Sequence, residues 1–387
     1  MTKFFLGPEI IYGTDSLNYL QRIRNQAALI VTDEVIIKVG LVDRIISIFN
    51  ENNVRYEIFS EVEPDPSLET VKKGLAYYMK DKPDVLLTIG GGSAIDVAKA
   101  ILFFYLQLQK QFVPSKGIIK PLFIAIPTTS GSGSEVTSYA VITDKENELK
   151  IPLSNDEMIP NIAILDEALT TSLPPSITAD TGMDVLTHAI EAYVSKNASE
   201  FTDMYALKAI KLVFHHLITA FEHGENATAR KKMHIASCMA GISFTNAGLG
   251  INHSLAHAVG NHFHLSHGRV NAVLLPYVIQ FNGGIYDNWV LSSPVIEKYA
   301  EILKELGSSA LYAKEGVLQL ANKVKELNVR LNLPTSFKEL GIVEDAFEQS
   351  IDDMASSALE DLCTSGNPKQ VTKNDLVELL RVVYHGG

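Results

Sequence analysis

Cysteine is scarce in this 387-residue chain, with Cys238 and Cys363 the only two. Two thiols in no CxxC pair cannot build a disulfide framework, which predicts a reducing compartment. Basic residues are also few, 33 Lys and Arg against 45 Asp and Glu, and the formal net charge is −12. They gather into no run, so a nucleic-acid partner is not expected, because phosphate recognition needs a concentrated basic patch. No apolar stretch reaches the roughly 18 residues that a membrane helix needs, so no membrane partner is expected either. The opening MTKFFLGPEIIYGTDSL has neither a continuous apolar stretch nor a small-residue cleavage site, and predicts no secretory leader.

What is present is the composition of a soluble globular protein, 46% hydrophobic and 20% charged, in a chain long enough for two domains. Short apolar runs at 27–33, 54–60, 84–90, 121–129 and 161–166 read as strands. Segments 35–51 and 67–80 carry apolar residues at helical spacing between them. That alternation predicts βαβ units and a parallel sheet covered on both faces. The pattern changes at 172-SLPPSITADTGMD-184, read as a proline-interrupted loop entering a helix. Beyond it helical periodicity dominates, as in 204–224 and 374–384. The expected organisation is a Rossmann-like α/β domain over 1–175 and an all-helical domain over 176–387.

The stretch 90-GGGSAIDVAKAI-101 follows a predicted strand and opens a predicted helix. Glycines allow close backbone approach, and the helix start offers free N–H groups to an anion. A tight turn with Ser93 as N-cap accounts for the same residues. The G-x-G-x-x-G spacing of the usual dinucleotide fingerprint is missing. Asp33, at the end of the strand ALIVTD, either hydrogen-bonds a ribose diol or caps the helix that follows. The hydroxyl-rich 127-PTTSGSGSEVTS-138 follows another strand, and two such loops after strands of one sheet suggest a nucleotide crevice.

Five of the eleven histidines, His253, His257, His262, His264 and His267, fall in 251-INHSLAHAVGNHFHLSHGRV-270. His253 and His257 are four apart, as are Asp184 and His188 in 182-GMDVLTHAIEAY-193, and residues so spaced share a helix face. Such pairs supply the three or four N and O ligands a divalent metal takes. Asp184, His188, His253 and His267 are the candidate set, with Gly268 allowing an unusual backbone beside the last. His262 and His264 read as bystanders in a loop. Carboxylate and imidazole without thiolate suit Fe(II), Zn(II) or another first-row ion alike.

With these residues in view, the sequence resembles the iron-containing (group III) alcohol dehydrogenase family over almost its whole length. The resemblance rests on GGGSAIDVAK, PTTSGSGSEVT, GMDVLTHAIEAY, NHSLAHAVG and SHGR, and is nearest the 1-propanol and ethanol dehydrogenase branch. It implies the two-domain fold of dehydroquinate synthase-like proteins, NAD(H) and Fe2+ (alternatively Zn2+) as cofactors, and a small alcohol or aldehyde as substrate. It also implies a homodimer or higher homo-oligomer in the cytoplasm, or within a bacterial microcompartment as for propanediol-utilisation enzymes. It makes Asp184, His188, His253 and His267 the metal ligands and puts His257 beside the nicotinamide. It puts Asp33 on the adenine ribose, Gly91, Gly92 and Ser93 on the pyrophosphate, and Thr128, Thr129 and Ser132 along the cofactor. Asp96, Lys150 and Leu169 complete the cofactor set. Ala94 and Ala258 stand where many relatives carry proline, and Ser132 where threonine is common.

The expected reaction is reversible hydride transfer between NAD(H) and a short-chain aldehyde or primary alcohol, with His257 relaying the proton. NADH is expected over NADPH because the Asp33 carboxylate would repel a 2′-phosphate. Lactaldehyde, 1,3-propanediol or glycerol dehydrogenases of the same family are the alternative. A dehydroquinate-synthase-like lyase fits less well, since it needs a dense basic pocket for a phosphorylated acid and the presumed site segments carry few basic residues, Lys150 and Arg269 among them. A non-catalytic structural metal site is the third possibility.

Overall fold

The computed structural model describes residues 3–112, 120–146, 149–286 and 293–386. Two compact units divide the chain, Leu6–Ser172 and Leu173 onward, the latter together with the segment that precedes Leu6.

Leu6–Ser172 is built on a six-stranded sheet of β1 (Glu9–Tyr12), β2 (Ala27–Val31), β3 (Arg55–Phe59), β4 (Val85–Gly90), β5 (Leu122–Pro127) and β8 (Ile162–Leu165). The spatial order is β1-β8-β5-β4-β2-β3, and every pairing is parallel. Alternate residues of the strands feed two cores. Ile30, Leu87 and Ile124 face one side, where Ile45, Ile48 and Phe49 of α2 (Asp43–Glu51) pack. Leu29, Leu86 and Phe123 face the other, against α3 (Leu68–Asp81) and α4 (Gly92–Phe112). A sheet covered on both sides needs apolar residues at every strand position, which is why these strands read as unbroken runs.

Strand order reverses between β2 and β4, since the chain leaves β2 toward β3 but leaves β4 toward β5. A crevice opens at the carboxyl ends of strands where such a reversal occurs. Asp33 and the glycine loop lie at this place.

Three expectations differ here. The helix expected over 35–51 is two helices, α1 (Glu34–Lys38) and α2, with a turn at Gly40 between them. β6 (Tyr139–Asp144) and β7 (Leu149–Ser154) form an antiparallel pair that periodicity does not reveal. The prolines near 174 mark a helix start, because α5 (Pro175–Val194) carries Pro175 in its first turn, where a missing N–H costs nothing.

The other unit is helical: α5, α6 (Glu200–Glu222), α7 (Ala227–Ala247), α8 (Ile251–Phe263), α9 (His267–Asn282), α10 (Pro294–Glu305), α11 (Ala313–Arg330), α12 (Glu344–Glu360) and α13 (Lys373–His385). α9 is apolar around its circumference because it serves two cores. Ala272, Leu275 and Ile279 pack with α5, α6, α7, α10 and α11, while Val273, Leu274 and Tyr277 pack with α8, α12 and α13. Among the described residues no helix is long and apolar enough to cross a membrane.

Candidate metal centre and nucleotide site

Asp180, Asp184, His188 and Glu191 recur every three to four residues along α5 and so share one face. α5 is buried along nearly its whole length, which takes these polar groups out of water and obliges them to find partners. Ligand atoms of Asp184, His188 and His253 lie within 4.8 Å of one another. His188 Nδ1 stands 3.8 Å from Asp184 Oδ2, and His253 Nε2 stands 3.6 Å from Asp184 Oδ1. The His188 ring stacks between Phe244 and His253, with centroids 4.5 and 4.4 Å away. His267 lies outside that compact trio but close to it, its Nε2 3.5 Å from Asp184 Oδ1. The side chain of His267 is 42% exposed where that of His253 is 2% exposed.

Backbone contacts bring the elements together. Gly268 has an ordinary helical backbone and needs no unusual conformation; its requirement is closeness. A Cβ there would meet the Asp180 carbonyl oxygen at 2.3 Å, so the start of α9 can lie on α5 only with glycine. Asp180 then accepts from Ser266 Oγ at 2.9 Å and Arg269 Nε at 3.1 Å, fixing His267 between them in sequence. His262 is helical and not in a loop, His264 ends α8 in a left-handed backbone, and neither joins the cluster.

Four residues that motif reading misses support the cluster. Glu191 Oε2 accepts from His253 Nδ1 at 2.5 Å, and Oε1 accepts from the Asn252 backbone at 2.7 Å. Glu191 thereby caps α8, whose own N-cap Gly250 has no side chain to do so. Asn271 donates to Asp184 Oδ1 at 2.8 Å and lies 3.0 Å from His267 Nε2. Asp361 accepts from His257 Nδ1 at 2.8 Å, and Cys363 joins these two in a second compact group. Glu191 could have been found from its place three residues after His188 on a shared face. Asp361 and Cys363 carry no such signal, being over a hundred positions from His257.

The electrostatics suit ligands. Burial works against ionising Asp184, but the neighbouring His188 and His267 outweigh it and hold the carboxyl well below the usual carboxylate range. Burial likewise opposes ionisation of Asp361, and the hydrogen bond from His257 brings it down to about 2. The donor set fits a divalent first-row ion: one carboxylate and three imidazoles, with no thiolate. Nε2 of His253 is buried and has no hydrogen-bond partner among the described residues, a costly state for a group that no ligand engages.

In Leu6–Ser172, Asp33 performs the capping half of its two expected roles. Its Oδ1 accepts from the backbone of Val35 at 2.9 Å and Ile36 at 3.0 Å, and its Oδ2 faces Gly90. Ser93 is not an N-cap, because α4 already begins at Gly92. The two loops are in contact: a Cβ on Gly91 would lie 3.6 Å from Thr129, and one on Gly92 only 3.0 Å from Ser132 Oγ. A side chain at Gly92 would therefore crowd Ser132, while one at Gly91 would make ordinary contact with Thr129. Thr128 is 2% exposed and donates its N–H to Gly90 O at 2.9 Å.

Three expected cofactor residues are occupied otherwise. Asp96 accepts from Ser134 Oγ at 2.7 Å through one oxygen and from Val141 N at 3.1 Å through the other. Lys150 pairs with Asp65 at 2.7 Å on the surface. Leu169 is 5% exposed within one of the sheet cores.

Residues 7–167 match the family described as iron-containing alcohol dehydrogenase, and residues 178–384 match the C-terminal part of the Fe-containing alcohol dehydrogenase family. The chain is 41% identical to the NADPH-dependent butanol dehydrogenase of Clostridium saccharobutylicum, covering 100% of this chain and 99% of the relative. It is 41% identical to the 1-propanol dehydrogenase PduQ of Salmonella typhimurium, over 98% of this chain and 99% of that one. An iron-containing alcohol dehydrogenase of Thermococcus thioreducens superposes over 100% of both chains with a TM-score of 0.88 at 33% identity. With both parts of the chain matched, and a carboxylate–imidazole cluster in the second, the protein belongs to the iron-containing alcohol dehydrogenase family and is an oxidoreductase of alcohols and aldehydes.

Proposed function

We propose that the protein reduces short-chain aldehydes such as acetaldehyde and propanal to primary alcohols, reversibly and with NADH. In this reading Asp184, His188, His253 and His267 hold Fe2+, for which Zn2+ is the alternative. The observation that carries it is the convergence of an ionised carboxylate and two buried imidazoles from two helices, with a third imidazole, His267, at their solvent edge. The bound ion supplies Lewis acidity toward a substrate oxygen, and the nicotinamide supplies or accepts hydride.

The chain's own residues do the rest. Glu191 keeps the proton of His253 on Nδ1, which would leave Nε2, the ring nitrogen on the Asp184 side, to offer its lone pair to the ion. Asp361 does the same for His257, so that His257 Nε2 is the atom that gives or takes the substrate proton. Leu6–Ser172 takes the dinucleotide, with Asp33 at the adenine ribose, Gly91, Gly92 and Ser93 at the pyrophosphate, and Thr128, Thr129 and Ser132 along it. The butanol dehydrogenase relative is NADPH-dependent by name. Asp33 nonetheless supports NADH here, since a carboxylate at the end of β2 repels a 2′-phosphate. A three-carbon alcohol is supported by the identity to the 1-propanol dehydrogenase.

The test is metal analysis of the purified protein beside an NADH-oxidation screen of two- to four-carbon aldehydes. Stoichiometric iron or zinc and turnover lost on chelation are expected. A metal-loaded protein that oxidises NADH with none of these aldehydes would overturn the proposal.

A further inference from the structure

Lys99 is fully buried on α4, an expensive place for an ammonium group. Its Nζ donates to Ser134 Oγ at 2.8 Å, Thr137 Oγ1 at 2.8 Å and the Tyr139 carbonyl at 2.7 Å. An ammonium has three N–H bonds, and here each has an acceptor, so none is left for a ligand. Two of the acceptors lie in the hydroxyl-rich segment that follows β5, and the third, Tyr139, opens β6 where that segment ends. Asp96, one turn earlier on α4, grips the same segment through Ser134 and Val141. A lysine–aspartate pair on one helix face thus pins the far end of the loop. Its near end is pinned by the Thr128–Gly90 hydrogen bond, and its middle rests on Gly91 and Gly92 through Thr129 and Ser132.

We infer that Lys99 is a positioning residue for the cofactor: it sets the shape of the 128–139 loop against the glycine loop without itself touching the dinucleotide. Placement matters because the two loops lie side by side: Ser132 Oγ is only 3.0 Å from where a Cβ on Gly92 would stand, so a shift of the 128–139 loop changes its fit to the glycine loop. Burial lowers the Lys99 pKa against the opposing pull of Asp96 and Glu135, down to about 8, so the ammonium is charged at neutral pH. A charged donor makes the stronger hydrogen bonds, and three of them converge on one short segment. The expected consequence is specific to cofactor affinity, because the metal cluster draws on no residue of this network.

The inference rests on the reading that Thr129 and Ser132 line the cofactor, so two variants are measured together. Lys99→Met keeps the length and removes the donors; Thr129→Val removes a hydroxyl from the loop itself. NADH Kd by fluorescence titration, and KM and kcat with propanal, are read on the metal-loaded enzyme. Both variants are expected to raise NADH Kd and KM, Lys99→Met by about tenfold or more, with kcat at saturating NADH within about twofold of the parent. If Thr129→Val weakens NADH and Lys99→Met does not, the inference fails while the cofactor reading stands. If neither weakens NADH, both fail. A fall in kcat with unchanged NADH Kd in Lys99→Met also overturns the inference, since it would place the lysine in turnover. Should Lys99→Met not fold, Thr137→Val removes one acceptor and leaves the lysine in place. A rise of about threefold in NADH Kd is expected there, and an unchanged Kd would refute the positioning role.

Discussion

Glu191 spans His253 and the backbone of Asn252, one carboxylate oxygen on each, at 2.5 and 2.7 Å. One side chain on α5 thereby fixes both the ring orientation of a proposed ligand and the entry of the helix that carries it. Removing its charge should loosen the ring without emptying the site. Glu191→Gln is expected to weaken metal binding by roughly 10- to 100-fold, measured by competition with a chelator of known affinity. Unchanged affinity would show that His253 is oriented by packing alone.

The buried and exposed members of the proposed ligand set should respond differently. His253 is almost completely enclosed, whereas His267 sits at the solvent edge. His253→Ala is expected to lose metal, activity and about 2 kcal/mol or more of stability, because it leaves a cavity and an unpaired Glu191. His267→Ala is expected to lose activity with a stability change within about 1 kcal/mol in the metal-free protein. Chemical denaturation beside metal analysis separates the two. Full metal and activity in His253→Ala would remove the metal-site reading.

Cofactor choice can be separated from helix capping at Asp33. Asp33→Ser retains a side-chain acceptor for Val35 and Ile36 but removes the charge. Use of NADPH relative to NADH, as a ratio of kcat/KM values, is expected to rise by about tenfold or more with little loss of stability. A constant ratio would take Asp33 off the ribose.

His257 is expected to act on turnover. His257→Ala should lower kcat by roughly 10²- to 10⁴-fold with metal content retained, the usual worth of a positioned acid–base group. Asp361→Asn, which removes the carboxylate acceptor from His257 Nδ1, should lower kcat in the same direction but less. Parent-like kcat in His257→Ala would assign proton movement elsewhere.

Glu135 gives stability a defined pH dependence. It is 2% exposed, and burial pushes its carboxyl up from the ordinary 4.5 to about 7. Between those values the folded chain keeps a proton that the unfolded chain releases, so stability falls as pH rises through this window. The full effect is on the order of 3 kcal/mol. Lys99 acts oppositely and higher, since its folded pKa of about 8 lies below the ordinary 10.5 and adds stability as pH rises between them. Urea denaturation of Glu135→Gln at several pH values should show a shallower fall between pH 4.5 and 7 than the parent. An identical slope would mean that the carboxyl is not protonated in the folded chain.

The legible parts of the chain were those whose burial is uniform. β4 and β8 are buried at every position and read as unbroken apolar runs. β7 is partly exposed along its length and contains Pro152, so neither alternation nor an apolar run marks it. The break between α1 and α2 was hidden because apolar residues continue across the turn at Gly40. At the metal cluster, pairs spaced by four residues could be read because a helix converts that spacing into nearness. His262 and His264 read as loop residues, but α8 runs on to Phe263, which puts His262 in the helix and His264 in the turn that ends it.

By itself the sequence determined most of the sheet strands and the helical character of the second unit, which helix faces carry the candidate ligands, and which family the motifs resemble. All of these follow from spacings within a few residues. Only the tertiary structure decided that Glu191 answers to His253, that Asp361 answers to His257, and that Asp96 and Lys99 hold a loop some forty positions away. Those partnerships exist because burial forces polar groups to pair with whatever the packing brings alongside, and packing joins residues that no local spacing connects.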